Sequence, residues 1–153
     1  MTSNPVRILL VEDNSADVYL FRKALQTAEL QFELIVISDG ARAMAFVHGK
    51  NDYAGVPVPD LAVIDLSLPK HDGIHILEAI RADRRFDNMP VVITSSSAVP
   101  PPRIQEEDLR VARYITKPPD LAAFLRIGAT LKEILLESQA RRVERQSDGT
   151  AAD

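Results

Sequence analysis

Four short apolar runs in this sequence end in residues able to do chemistry. Residues 8–11 run into Glu12 and Asp13, residues 61–64 into Asp65, residues 91–93 into Thr94, and Tyr114, Ile115 and Thr116 into Lys117. If the runs are parallel strands of one sheet, their carboxyl-terminal ends lie side by side, where open α/β sheets bind ligands. One site would then hold three carboxylates, a hydroxyl and an ammonium, a set that suits a divalent cation and a phosphoryl group. Glu12, Asp13 and Asp65 offer hard oxygen ligands, which favour Mg²⁺ and leave positions for water and phosphate. Crowded carboxylates raise one another's pKa values, and a cation relieves that repulsion and keeps Asp65 ionised for attack on a phosphorus held in line. Thr94 can donate to one phosphoryl oxygen, and Lys117 can pair with another as a compact charge. Singly, each residue has a plainer reading: a turn aspartate, two helix-capping acids, a strand-end hydroxyl, a solvated lysine. Their recurrence at four strand ends is what favours a site.

Apolar runs of strand length alternate with segments of helical period, the pattern of a parallel sheet with crossover helices. Strands are predicted over 6–11, 32–37, 61–65, 90–94 and 113–115. Asn14 or Ser15 can cap a first helix whose stripe is Leu20, Phe21, Ala24, Leu25 and Ala28. A second helix follows Ser38, Asp39 and Gly40 and ends near His48. A third spans about 73–82, with Ile74, Leu77 and Ile80 inward, and a long final helix runs from Asp120 at least to Glu137. Residues 49–59 carry two glycines and two prolines and form a longer connection than is usual in such folds. Residues 138–153 form a polar extension that frays at its end.

With 153 residues, 46% of them hydrophobic and 26% charged, the chain has the size and balance of one globular domain, here 1–137. The formal charge of −4 argues against general nucleic-acid affinity, which needs clustered Lys and Arg. Arg141, Arg142 and Arg145 lie among acids and read as a solvated helix end. The absence of cysteine removes disulfides, thiolate zinc sites and thiol catalysis. His48, His71 and His75 show no paired metal spacing and read as surface residues. The first residues show no basic-then-apolar leader, so the expectation is a cytoplasmic protein with no membrane contact.

Residues 8–14 (ILLVEDN), 65–73 (DLSLPKHDG), 91–95 (VVITS) and 114–118 (YITKP) resemble, in wording, order and spacing, the receiver domains of CheY-like response regulators. The resemblance covers the sheet from first strand to last. It implies a doubly wound five-stranded parallel sheet, strand order 2-1-3-4-5, with helices on both faces. By it, Asp65 is the phosphoacceptor of a two-component system. Glu12 and Asp13 hold Mg²⁺ with Asp65 and the Ser67 backbone carbonyl, Thr94 is the family's hydroxyl, Tyr114 the aromatic rotamer switch and Lys117 the phosphate-pairing lysine. The Lys117–Pro118 peptide is expected to be cis. Such a domain serves as a switch and is no enzyme beyond its own phosphorylation and dephosphorylation. The long connection before the third strand and the phrase YITKPPDLAAF are similar to the stand-alone regulators that partner bacterial phytochromes, which implies a histidine kinase, of phytochrome type, as phosphodonor.

The sequence departs from the family pattern at Ser95, where Ala or Gly is common, and at Pro100, Pro101 and Pro102, which fall where a fourth crossover helix should begin. Proline lacks the N–H and restrains its predecessor, so that helix must start near Arg103 or Ile104 or give way to extended chain. Because the sequence ends soon after the fifth helix, no DNA-binding output is expected, and output falls to protein contact with an unknown downstream partner. A phosphorelay intermediate serving a histidine phosphotransfer protein is the alternative. A haloacid dehalogenase-type phosphohydrolase is more remote, since it needs an acid where Ser67 stands, and a flavodoxin's phosphate would be repelled by Glu12 and Asp13. In the final helix Leu121, Phe124, Gly128, Leu131 and Leu135 form one stripe, while Leu125, Ile127, Ala129, Ile134 and Leu136 widen the apolar surface. That excess predicts a homodimer through this helix.

Overall fold

Runs such as LAVID and VVITS are uncharged before their last residues and rich in branched side chains, which suits strands covered on both faces. The computed structural model describes residues 4–68 and 73–151. In it β1 (Val6–Val11), β2 (Phe32–Ile37), β3 (Leu61–Asp65), β4 (Val91–Ser95) and β5 (Val111–Thr116) pair in parallel in the order β2-β1-β3-β4-β5. The helices are α1 (Ser15–Thr27), α2 (Gly40–Val47), α3 (Gly73–Arg81), α4 (Leu121–Leu125) and α5 (Ile127–Ala151). None is long and apolar enough to cross a membrane, among the described residues.

The two-residue period of the strands divides the core. Leu9, Val11, Ala62, Ile64, Val91 and Ile93 point to the side of α2 and α3 and meet Phe46, Ile76, Leu77 and Ile80. Ile8, Leu10, Leu61, Val63 and Val92 point to the other side and meet Phe21, Leu25, Phe124 and Leu131. At roughly 1.5–3 kcal/mol for each large side chain buried, these two layers outweigh the exposed ion pairs, worth about 0–1 kcal/mol each. Asn14 caps α1 by accepting from Ala16 N at 2.9 Å and Asp17 N at 3.2 Å. At Gly128 a Cβ would stand 2.0 Å from the Ala24 carbonyl oxygen, so α5 approaches α1 as closely as it does only because glycine is there.

Three expectations are corrected. No α-helix forms between β4 and β5. The prolines leave two 3₁₀ turns, Pro102–Gln105 and Glu107–Leu109, which bury Ile104 and Leu109 and are braced by Arg103 to Glu106 (2.6 Å) and Asp108 (2.8 Å). The final helix is two helices, with a break at Arg126 after the single turn that Asp120 caps, and the second continues to Ala151. The Lys117–Pro118 peptide is trans, as are all peptide bonds among the described residues. Trans is the lower-energy isomer of such a bond.

The surplus apolar surface of the last helix is also smaller than its sequence implies. Ile127 and Ile134 are buried within the chain, whereas Leu121, expected on the inward stripe, is exposed. Leu136 and Val143 remain outside, 56% and 65% exposed.

Candidate functional site

Strand register brings the reactive residues together. Asp65 pairs directly with Thr94 across β3 and β4. Val11 pairs with Ile64, so Glu12 emerges beside Asp65, and Ser95 pairs with Thr116, so Lys117 emerges beside the end of β4. The sheet order reverses between β1 and β3, and the crevice outside such a switch point is where a doubly wound sheet binds ligands.

Lys117 organises the site. Its Nζ lies 2.7 Å from Asp65 Oδ2, 2.8 Å from Asp17 Oδ2 and 2.9 Å from Glu12 Oε2. An ammonium has three donors, and all three are taken by carboxylates. Burial pulls the Lys117 pKa down, but the bonds to Asp17, Asp65 and Glu12 outweigh it and the net shift is upward. Glu12 moves the other way from an ordinary carboxyl, up to about 7, because burial and then the adjoining Asp65 penalise its charge more than Lys117 relieves it.

Carboxylate oxygens of Glu12, Asp13 and Asp65 lie within 4.8 Å of one another, with Glu12 and Asp65 buried and Asp13 exposed. The donor set fits a hard divalent cation: three carboxyl groups, one of them open to solvent, and a Glu12 whose pKa burial and Asp65 raise despite Lys117. Thr94 is fully buried and its Oγ1 has no hydrogen-bond partner among the described residues. An orphaned hydroxyl beside a carboxylate is costly unless a ligand supplies an acceptor.

The Asp65 carboxylate and the residue after it are held from several sides. Ser67 N donates to Asp65 Oδ1 at 2.9 Å, Leu66 N to the Thr94 carbonyl at 3.0 Å, and Gly73 N to the Leu66 carbonyl at 3.2 Å. A Cβ on Gly73 would stand 2.5 Å from the Asp65 carbonyl oxygen, so the start of α3 is pressed against the strand end. Tyr114 donates its hydroxyl to the Ser97 carbonyl at 2.6 Å, and Thr116 Oγ1 donates to the same oxygen at 3.3 Å. The aromatic ring thus ties β5 to the loop after β4. Ser95 is buried, and its Oγ accepts from Ser97 N at 3.0 Å.

Glu12, Asp13, Asp65, Thr94 and Lys117 therefore converge, Ser67 adjoins them, and Tyr114 lies at the edge. His48 and His75 are exposed and His71 lies outside the described residues. Sequence reading missed Asp17, Thr116 and the packing role of Gly73. Asp17 carried a signal: three residues past the Asn14 cap, it sits in the first turn of a helix that starts directly above the strand ends.

Comparison with known proteins adds to this geometry. A family model described as the response regulator receiver domain matches residues 8–127. The chain is 36% identical over 137 residues to response regulator Rcp1 of Synechocystis sp., covering 89% of this chain and 93% of that one. The crystal structure of the phosphorylated cyanobacterial phytochrome response regulator RcpA superposes with a TM-score of 0.78 at 36% identity, over 87% of this chain and 95% of that one. The Mn²⁺-bound form of Rcp1 gives 0.76 at 35% identity, over 87% and 96%.

Proposed function

This chain belongs to the response regulator receiver domain family, and from that premise we propose that it is a phosphorylation-dependent signalling switch with Asp65 as its phosphoacceptor. One observation carries the reading: a buried aspartate is flanked by two further acids, a lysine and a hydroxyl that lacks a partner among the described residues. A carboxylate oxygen of Asp65 attacks the phosphorus of a kinase phosphohistidine. The P–O bond forms as the P–N bond breaks, and the imidazole nitrogen keeps the electron pair and takes a proton from water. Thr94 Oγ1 donates to one phosphoryl oxygen, and Lys117 turns from the carboxylate toward another. Mg²⁺ held by Glu12, Asp13, Asp65 and the Ser67 carbonyl would neutralise charge on the phosphoryl oxygens and on the attacking carboxylate. Tyr114 and Thr116, joined to the Ser97 carbonyl, would report the change at Thr94 to the surface beside β5.

The likeness to a protein described as a phytochrome response regulator supports a phytochrome-type histidine kinase as donor. Output is by protein contact, and exposed Leu121, Leu136 and Val143 support pairing of two copies through α4 and α5. The deciding experiment is intact-mass analysis after incubation with a small phosphodonor and Mg²⁺. One phosphoryl adduct is expected in the parent and none in Asp65→Asn, and equal labelling of both would refute the assignment.

A further inference from the structure

At the amino-terminal ends of β4 and β5, opposite Asp65, lies a cavity of about 220 Å³. Five arginines line it, Arg81, Arg110, Arg141, Arg142 and Arg145, against the single carboxylate of Asp87. In a chain of net charge −4 this is a local reversal of sign. The three arginines of α5 that read as a solvated helix end also line this open cleft, Arg141 and Arg145 from its exposed rim and Arg142 from its half-buried wall.

Their existing partners leave charge and donors uncommitted. Arg81 donates to the carbonyls of Leu109 (2.8 Å), Phe86, Met89 and Arg110 (3.1 Å each), so its hydrogen bonds are met while its charge is not. Burial, and after it the charge of Arg110, holds its pKa down to about 10. Arg110 stands 3.7 Å from Asp87, too far for a hydrogen bond. Arg142 donates to Ser138 Oγ at 3.2 Å and lies 3.6 Å from Asp60, but its Nε is buried with no partner among the described residues. Arg145 donates to Asn88, a neutral group.

We propose that this cavity is an anion site for a compact ligand bearing one or two phosphoryl groups. Guanidinium forks approach from the start of β5 and from α5, with the charge of Arg81 on α3 behind them, which matches a tetrahedral anion with three or more acceptor oxygens better than a carboxylate that one fork would satisfy. The space is below the roughly 300–1,000 Å³ of sites for drug-sized ligands, so it suits a small phosphorylated species. Bound there, the ligand bridges α5 to the starts of the strands whose far ends carry Thr94 and Lys117.

The probe is inorganic diphosphate, titrated into the full chain without divalent metal, by calorimetry and by nuclear magnetic resonance of arginine Nε–H groups. Saturable one-to-one binding is expected, with the Arg142 Nε–H resonance moving most. Arg141→Gln with Arg145→Gln should weaken binding by about tenfold or more, the scale of lost charge-assisted bonds, and still accept phosphate at Asp65 as the parent does. Asp87→Asn, which removes the competing carboxylate, should tighten binding severalfold, an effect no loss of structure would imitate. A response that chloride reproduces at equal ionic strength, resonance changes confined to the Asp65 end, or unaltered affinity in these variants would overturn the proposal.

Discussion

Lys117 Nζ stands as close to Asp17 Oδ2, at 2.8 Å, as it does to Asp65 Oδ2, at 2.7 Å. The lysine is thus shared between the proposed acceptor and a first-turn residue of α1. A phosphoryl group on Asp65 must compete with Asp17 for it. Asp17→Asn should therefore speed phosphorylation from a small donor or prolong the phosphorylated state, by roughly three- to tenfold for about 1 kcal/mol of released pairing. Time-resolved intact-mass measurement checks this, and slower labelling with a shorter lifetime would show that Asp17 positions Lys117 instead.

Thr94 supplies a second test. Thr94→Ala should still take up phosphate, because the hydroxyl stabilises the group and does not attack. Thr94→Val keeps the shape and removes an orphaned donor, so the unphosphorylated protein should gain up to about 1 kcal/mol, read from its thermal midpoint. Complete loss of labelling in Thr94→Ala with saturating Mg²⁺ would contradict this division of roles.

The elevated Glu12 pKa sets a pH dependence. Its folded carboxyl holds a proton up to about 7, whereas the unfolded one releases it near 4.5, so over that window the folded state binds more protons and stability falls as pH rises. A divalent cation replaces the proton as the source of positive charge. The rise in melting temperature on adding Mg²⁺ should consequently be small at pH 5 and grow through pH 7 to 8. Scanning calorimetry with Mg²⁺ and with chelator tests it, and a pH-independent increment would mean that Glu12 does not face the metal.

Close backbone approach makes two glycines irreplaceable. Alanine at position 128 gains up to about 1 kcal/mol of helix propensity, yet its Cβ would strike the Ala24 carbonyl at 2.0 Å. Gly128→Ala should lose about 1–3 kcal/mol, the usual cost of overpacking. Gly73→Ala should lose a similar amount and also slow labelling, since the contact it violates is the Asp65 carbonyl. Urea titration with the mass assay separates the two outcomes.

If two copies pair through α4 and α5, the exposed Leu121, Leu136 and Val143 carry the contact, because Ile134 is buried within the chain. Leu136→Glu with Val143→Glu should shift the sedimentation coefficient from dimer to monomer at micromolar concentration and leave unfolding unchanged. A monomeric parent would dismiss this interface.

Sequence alone placed the five strands, although the fifth begins at Val111 and not at Arg113, because most are apolar runs whose ends are marked by a charged or hydroxyl residue, and it named the residues that converge around Asp65. Asp17 escaped because a first-turn acid on α1 already has a sufficient role in the helix dipole. Its distance to Lys117 depends on how α1 packs over the sheet, and that packing includes a contact of Ala24 with Gly128 far along the sequence. Ile127 and Ile134 misled for a related reason: an apolar helix reads as having spare surface until the break at Arg126 fixes how α5 turns. The prolines did announce an irregular segment, but only packing decides that Ile104 and Leu109 are its anchors.

The 3₁₀ turns between β4 and β5 bear on how quickly this surface can be remodelled. Backbone amides in a full helix are protected in concert, so rearranging one means melting several bonds at once. Here Pro100, Pro101 and Pro102 have no amide hydrogen at all, and the bonds that follow are isolated ones, Ile104 N to the Pro101 carbonyl and Glu106 N to that of Arg103. Amide exchange across 103–110 should thus occur by local openings of little cooperativity, far faster than in β4. What proline takes from the regularity of this edge it returns as restricted freedom of the open chain, so the segment can exchange one arrangement for another with little entropy at stake.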